Sequence, residues 1–497
     1  MKHIDSMFLH DLEKEIGCLE SVADVKKQGI LEDTCPDTPD IMPIKRHKLS
    51  DLLPNFEGIN YKDLGVFEDP NGKVVQKKAV VCLIDKIIEV AKEHASDICV
   101  HNGLLYMYNG HFWEQQDFAE FQYFLSRALL AMGYDAADAK HYKMKEELYK
   151  QFVSEAFRQE VKTDKTLINF TNGTFEISDV EQKLRPWSPD DMLKYELPFA
   201  YDENATAPLF EQYLYRVLPD KGCQDALSEF LGYVFIHSLK LEKALVLYGS
   251  GANGKSVMFD IVYAMLGEEN VSTYSLDELM GEDSRYRAYI ADRLLNYSSE
   301  MSGKITSDIF KKLVSIEPIV VRKIYKEPVT IRDYAKMMFN ANDFPKGVKN
   351  TEAFKRRLLI IPFNFTVPEE ERDPDLAKKI IETDLPGVFN WCLAGLKRLL
   401  KNKHFTESEI MRKQLDEFMM QSDTLLQFLT YGGYVKGEKQ MLLKEFYCEY
   451  RQYCRSIGDS PETYKKTSDR LEKDFGFKKG RVAAATTFFI EKGGSNG

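Results

Sequence analysis

The stretch Gly249-Ser250-Gly251-Ala252-Asn253-Gly254-Lys255-Ser256 constrains this chain more than any other. Gly249, Gly254, Lys255 and Ser256 satisfy the spacing G-x4-G-K-S, and the flanks suit it. Residues 244–248, ALVLY, form a short apolar run of buried-strand type. Val257, Met258, Ile261, Val262, Met265 and Leu266 then recur at helical spacing up to Gly267. Glycines let backbone N–H groups close around phosphate oxygens, and the helix N-terminus adds its positive dipole end. Lys255 is placed to reach the β- and γ-phosphates of a nucleotide, and the Ser256 hydroxyl to ligate Mg²⁺. The expectation is an α/β fold with ATP and Mg²⁺ bound at a P-loop.

One rival fits the same residues. Gly249-x-Gly251-x-x-Gly254 also matches the dinucleotide fingerprint, and Glu268, Glu269 and Asp277 stand near where that fold wants its acid. The Lys255-Ser256 pair and the motifs downstream argue against it.

The chain has 497 residues with 44% hydrophobic and 12% aromatic content, which suits several globular domains. A net charge of −11 argues against coating nucleic acid with the whole surface, yet leaves room for a locally basic bore or appended domain. The eight cysteines contain no C-x-x-C pair, so reduced thiols and a cytoplasmic address are expected. A charged N-terminus and the lack of any apolar run of membrane-spanning length predict neither signal peptide nor membrane span.

Along the chain, 1–75 reads as a weakly ordered leader interrupted by Pro36, Pro39, Pro43 and Pro54. Residues 76–240 read as a mixed α/β domain, with helices over 80–95 and 118–132, a hairpin from 104–108 through Gly110, and a turn at Asn172-Gly173. The P-loop module with a helical extension occupies 241–422. From 423 to 497 bases slightly outnumber acids. Helices over 425–429, 442–453 and 464–475, then a basic two-stranded ribbon, make the pattern of a winged helix. Its third helix and wing would meet DNA phosphates through Lys465, Lys466, Arg470, Lys478, Lys479 and Arg481. A protein-docking winged helix has the same pattern.

Three further segments carry chemistry. Residues 293–300 read as a strand ending in Glu300, where a P-loop hydrolase needs an acid for its metal or attacking water; Ser299 stands where a second acid is usual. Residues 334–339 form another apolar run, followed by Asn342, a neutral amide able to orient that water or simply to shape a turn. Arg356 and Arg357 precede a buried strand, as a salt-bridged pair or as a charge offered to a neighbouring subunit.

In this order the motifs resemble superfamily 3 helicases, specifically the helicase region of the phage/plasmid primase-helicase family related to poxvirus primase-helicases. The resemblance rests on GSGANGKS, the strand ending Ser298-Ser299-Glu300, the segment 312–325, NDFP at 342–345 and FKRRLLIIPF at 354–363. Upstream, INFTNG at 168–173 and EFLGY at 229–233 extend it over about 80–400. It implies an AAA+-like core in a hexameric ring that translocates on DNA. In it Glu300 corresponds to the Walker B acid, Asn342 to sensor 1 and Arg356 to a trans-acting finger, with Arg357 the alternative. It also implies a β-hairpin in the ring bore. Residues 318–332 fit two β-rich arms around a Lys-Glu-Pro turn, with Lys323 and Lys326 against DNA phosphates and Tyr325 beside them. Where many relatives carry Gly-Asp before that hairpin, this chain has Ser315-Ile316-Glu317-Pro318. The first 165 residues show no zinc ribbon and no primase carboxylate motif, so any primase is expected to be a separate partner. The expectation is an ATP-dependent DNA helicase for replication of a phage, plasmid or integrated element. A P-loop switch or defence effector, and an origin-binding loader that does not unwind, are the alternatives.

Overall fold

Two-residue turns shape the first strands. The computed structural model describes residues 46–65, 75–158, 165–178, 182–236, 239–281, 283–301, 307–322, 328–342 and 352–493. The chain divides into two units, 1–42 and 43–497, and the described residues lie in the second. Strand β1 (Asp97–His101) runs antiparallel to β2 (Leu104–Tyr108) through Asn102 and Gly103, both at positive φ, as such a turn requires. β3 (Trp113–Gln115) returns on β2 through a loop containing Gly110, the hairpin expected there. β4 (Thr166–Phe170) and β5 (Gly173–Ile177) pair with Phe170 opposite Gly173. The turn is therefore Thr171-Asn172, one residue earlier than expected. Gly173 lies against β6 (Gln182–Arg185), where a Cβ would stand 2.6 Å from the Arg185 carbonyl oxygen.

Helices Gln76–Glu93, Phe118–Ala131 and Tyr142–Glu155 close one apolar core, with Leu83, Ile84, Ile87, Phe121, Leu125 and Phe152 buried in it. Leu49, Leu52 and Phe56 enter the same core. Residues 46–65 therefore belong with this core and not with a weakly ordered leader. Their apolar residues are too closely spaced with Pro54 to show helical periodicity in sequence.

The remaining long apolar runs form one parallel sheet. Its strands are β7 (Ala244–Tyr248), β8 (Val271–Ser272), β9 (Leu295–Ser298), β12 (Lys336–Ala341) and β13 (Leu358–Pro362), in the order β13-β7-β12-β9-β8. Such strands are nearly all apolar because both faces are covered. On one face Leu245, Leu247, Tyr297, Met338 and Ile361 pack on Met258, Ile261 and Val262 of the Lys255–Leu266 helix. On the other, Val246, Phe339 and Ile360 pack with Leu279, Phe310 and Phe418. This mixed α/β domain with its parallel sheet is consistent with a P-loop NTPase-like core. Between β9 and β12, β10 (Ile319–Val321) and β11 (Val329–Ile331) pair as the arms of a hairpin.

Helices Lys221–Tyr233 and Leu385–Asn402 cross closely behind the first face. Gly232 faces Leu396, Gly395 faces the Ser228 backbone, and a Cβ at either would lie within 2.6 Å of those atoms. The fully buried Glu229 carboxylate there accepts from Arg398 and from both the N–H and hydroxyl of Thr406. The EFLGY segment thus serves a buried helix contact.

In the C-terminal part, helices Thr424–Tyr431, Leu443–Ser456 and Tyr464–Lys473 pack around Phe446, Tyr450 and Leu471. β15 (Lys479–Val482) and β16 (Ala485–Lys492) form the expected ribbon. A strand the sequence reading lacked, β14 (Tyr434–Leu442), pairs on the other side of β16 with a register shift between Lys436 and Gln440. Arg470 corrects an expectation. It is buried and bonded to Asp423, Glu462 and Asp474, so it braces the helices and is not available to DNA phosphates. Among the described residues no helix is long and apolar enough to cross a membrane.

Lys336 opens β12 as a buried amine, its Nζ 4.2 Å from the Tyr233 ring centroid. Burial pushes its pKa down to about 8, against the opposing pull of Asp333. The folded value lies below the unfolded one, so the unfolded chain holds more protons between pH 8 and 10.5 and stability rises with pH across that window. Lys336→Met is expected to raise stability at pH 7, with a gain about 2 kcal/mol smaller at pH 9.5. Urea denaturation of both proteins at the two pH values measures this; a pH-independent difference would contradict it.

Candidate nucleotide-binding site

Parallel strands present their carboxyl ends on one side, the side on which open α/β sheets bind ligands. Gly249 follows β7 there, Ser299 follows β9, and Asn340 and Asn342 sit at the end of β12. The loop 249–254 turns through Gly251 (φ 108°), Ala252 (φ 48°) and Gly254 (φ 89°) into the Lys255–Leu266 helix. Glycine is needed at 254 twice over, for its φ and because a Cβ would meet Val217 at 2.9 Å. The loop is held from outside by Tyr213, whose hydroxyl donates to the Gly254 carbonyl at 2.8 Å, and by the Val367 N–H, which donates to the Ala252 carbonyl at 2.9 Å.

Lys255 is buried, its Nζ donating to the Gly249 carbonyl at 2.5 Å and to Asn253 Oδ1 at 3.0 Å. Burial holds its amine below the ordinary lysine value. Ser256 is exposed at the start of the helix. Beside the loop lies a cavity of about 580 Å³ lined by residues 251–257, Ser299, Asn340 and Asn342. Its far wall comes from two places: Leu209, Gln212, Tyr213, Arg216 and Val217 of the Pro208–Val217 helix, and Val367, Glu371, Arg372, Asp373 and Leu376 after β13. Arg216 bonds Glu371 and lies over the Phe365 ring, joining the two walls.

The structure thus brings together Gly251 to Ser256 and Asn342 from the sequence-predicted residues, with Gly249 and Lys255 in contact. It does not bring Glu300 to the cavity wall. Glu300 is exposed one residue beyond Ser299, its backbone tied to the Ser298 hydroxyl. Among the described residues no cluster of three His, Cys, Asp or Glu could hold a metal ion. Asn340 joins the cavity alongside Asn342. It is buried on the strand, and the Tyr297 hydroxyl donates to its Oδ1 at 2.9 Å, leaving its N–H₂ end for other acceptors. Tyr213 and Arg216 were missed because nothing local links them to the loop.

The two arginines before β13 part company. Arg357 is buried, bonding Ser315 Oγ, the Ala353 carbonyl and Glu242 at 2.9 Å, so it is a strut. Arg356 is two-thirds exposed, with Glu242 at 3.6 Å. It stands at the opposite end of β13 from the cavity, roughly 20 Å of extended chain away. Lys323, Tyr325 and Lys326 lie outside the described residues; the arms that carry them are in register, with Ile319, Val321 and Ile331 buried. In the C-terminal part Arg481 is exposed, Lys478 lies 5.0 Å over the Phe489 ring, and Lys479 pairs with Glu472 at 3.1 Å.

Residues 85–219 match a family described as D5 N terminal like, and residues 247–357 match a family of unknown function (DUF5906). The chain is 25% identical over 246 residues to "Putative helicase L207/L206" of Acanthamoeba polyphaga mimivirus, covering 47% of this chain; it spans about a quarter (25%) of that relative's length. Among solved structures, an A-form apo structure of the NrS-1 C-terminal region is 13% identical with a TM-score of 0.44, covering 82% of this chain and 98% of that one. An apo structure of its residues 305–718 is 12% identical with the same TM-score, covering 81% and 98%.

Proposed function

We propose that this chain, linked by its D5-like region and its mimiviral relative to the phage/plasmid-type primase-helicases and so to superfamily 3, is a ring-forming, ATP-dependent DNA helicase. That kinship supports helicase function in general. The observation that carries the ATPase reading is the cavity at the carboxyl ends of a parallel sheet, floored by a glycine loop with a buried lysine. Placement of β12 between the P-loop strand and the Glu300 strand supports an AAA+-like core. The donor set suits ATP and Mg²⁺. Backbone N–H groups and Lys255 meet phosphates, and the Ser256 hydroxyl and the Glu300 carboxylate are hard oxygen donors of the kind Mg²⁺ takes together with water and phosphate. Bound there, Mg²⁺ would neutralise charge developing on the phosphates.

The chain's own residues then divide the work. Lys255 and the loop amides bind and orient the phosphates. Asn340, aligned by Tyr297, and Asn342 offer neutral amides beside the γ-phosphate position. Glu300 is the acid for the attacking water once the segment following β9 approaches the nucleotide. Arg356, too far from its own cavity, serves a neighbouring subunit in a homo-hexamer. The C-terminal helices and ribbon act as a winged helix, with Lys478, Lys479 and Arg481 on duplex phosphates.

DNA grip is assigned to the β10–β11 hairpin. Lys323→Ala/Lys326→Ala is expected to keep DNA-independent hydrolysis, lose unwinding and bind single strands more weakly. The salt slope of that binding should be shallower by about one unit or less per lysine. Measuring phosphate release, strand displacement and binding at several salt concentrations tests the assignment. Full unwinding by the double variant would move the grip elsewhere.

A further inference from the structure

Asn253 is the one variable position of the P-loop whose side chain is buried, and its two ends face different partners. Oδ1 accepts from Lys255 Nζ at 3.0 Å, while Nδ2 donates to the Phe363 carbonyl at 2.8 Å. The chemistry fixes the amide's orientation. An ammonium only donates and a carbonyl only accepts, so the oxygen must face the lysine. Gly249 bears the imprint of the same contact: a Cβ there would stand 2.1 Å from Asn253 Nδ2 and 2.4 Å from the Phe363 oxygen. The first position of the motif is glycine because this amide passes across it.

Phe363 begins the segment that walls the cavity. Its N–H donates to the Tyr248 carbonyl, the Val367 N–H to the Ala252 carbonyl, and Arg372 Nε to the Val367 carbonyl. We propose that Asn253 is a positioning residue, which holds the Lys255 ammonium in place for phosphate and couples that placement to the 363–373 wall. This rests on the cavity being a nucleotide site. With two N–H bonds made to Gly249 and Asn253, the ammonium keeps one for a phosphate oxygen. No other small residue meets both demands. Aspartate would set a carboxylate against the Phe363 carbonyl and neutralise Lys255, serine offers no amide reaching both partners, and alanine offers neither bond.

A double-mutant cycle on nucleotide affinity separates this role from a merely structural one. The probe is a fluorescent ATP analogue, titrated into wild type, Asn253→Ala, Lys255→Ala and the double variant, each checked by thermal melting. Losing a hydrogen bond to a charged group corresponds to about tenfold or more in affinity. Asn253→Ala is therefore expected to weaken binding about tenfold with Lys255 present and less than about twofold with Lys255→Ala. Asn253→Asp, nearly the same size, covers the case in which the alanine variant does not fold; it should weaken binding at least as much. An equal loss with and without Lys255 would overturn the proposal, as would wild-type affinity in either the alanine or the aspartate variant. Wild type that binds no nucleotide would instead refute the functional reading itself.

Discussion

Lys255→Ala is expected to stop ATP hydrolysis while leaving the protein folded. The lysine is buried, and its Nζ is the cation at the loop, held by the Gly249 carbonyl and Asn253 Oδ1. Its loss removes the point charge set against the β- and γ-phosphates, where charge develops in phosphoryl transfer. Removing a preorganised stabiliser of such charge costs about 10²–10³ in rate, enough to bring a slow ATPase to background. The fold should survive. The sheet on which the loop rests is buried on both faces, and the loop keeps its bonds to Tyr213 and Val367. Phosphate release and a melting curve check both halves. Equal turnover in wild type and variant would remove the ATPase claim.

Arg356→Ala is expected to cost about 10³–10⁵ in turnover, the range for a trans-acting arginine. The reason lies in the sheet. Because β13 runs parallel to β7, its first residues lie at the end away from the cavity, and Arg356 precedes them. Its side chain is exposed, whereas Arg357 is committed to Ser315, Ala353 and Glu242. That division is the ground on which the proposal takes Arg356, and not Arg357, as the trans-acting arginine. Mixing Arg356→Ala protomers with Lys255→Ala protomers should restore part of the activity, since some interfaces then pair an intact loop with an intact arginine. No rescue at any ratio, in mixtures shown to co-assemble, would assign Arg356 a role within its own subunit.

What was legible in the sequence follows from range. The P-loop, its strand and its helix are local, so spacing and periodicity suffice, and β9, β12 and β13 announce themselves as apolar runs. Tyr213 reaches the loop at Gly254 from about forty residues upstream, and Arg216 reaches Glu371 and the Phe365 ring across an even longer stretch of chain, contacts that leave no periodic trace. Asn253 was visible as one letter of a motif, but its bond to Phe363 spans 110 residues. Arg470 shows the opposite failure. A basic residue on a basic helix reads as a phosphate ligand until Asp423, far off in sequence, is seen to hold it. β14 escaped because Gly437 and the register shift at 436–440 break its alternation.

Strand displacement on a forked DNA duplex, with and without ATP, tests the helicase reading most directly. Wild type should separate the strands only when ATP is present and hydrolysed, and Lys255→Ala should separate none. ATP hydrolysis stimulated by DNA with no strand displaced, under conditions where the protein assembles and binds the fork, would contradict it and leave a DNA-binding switch or a loader in its place.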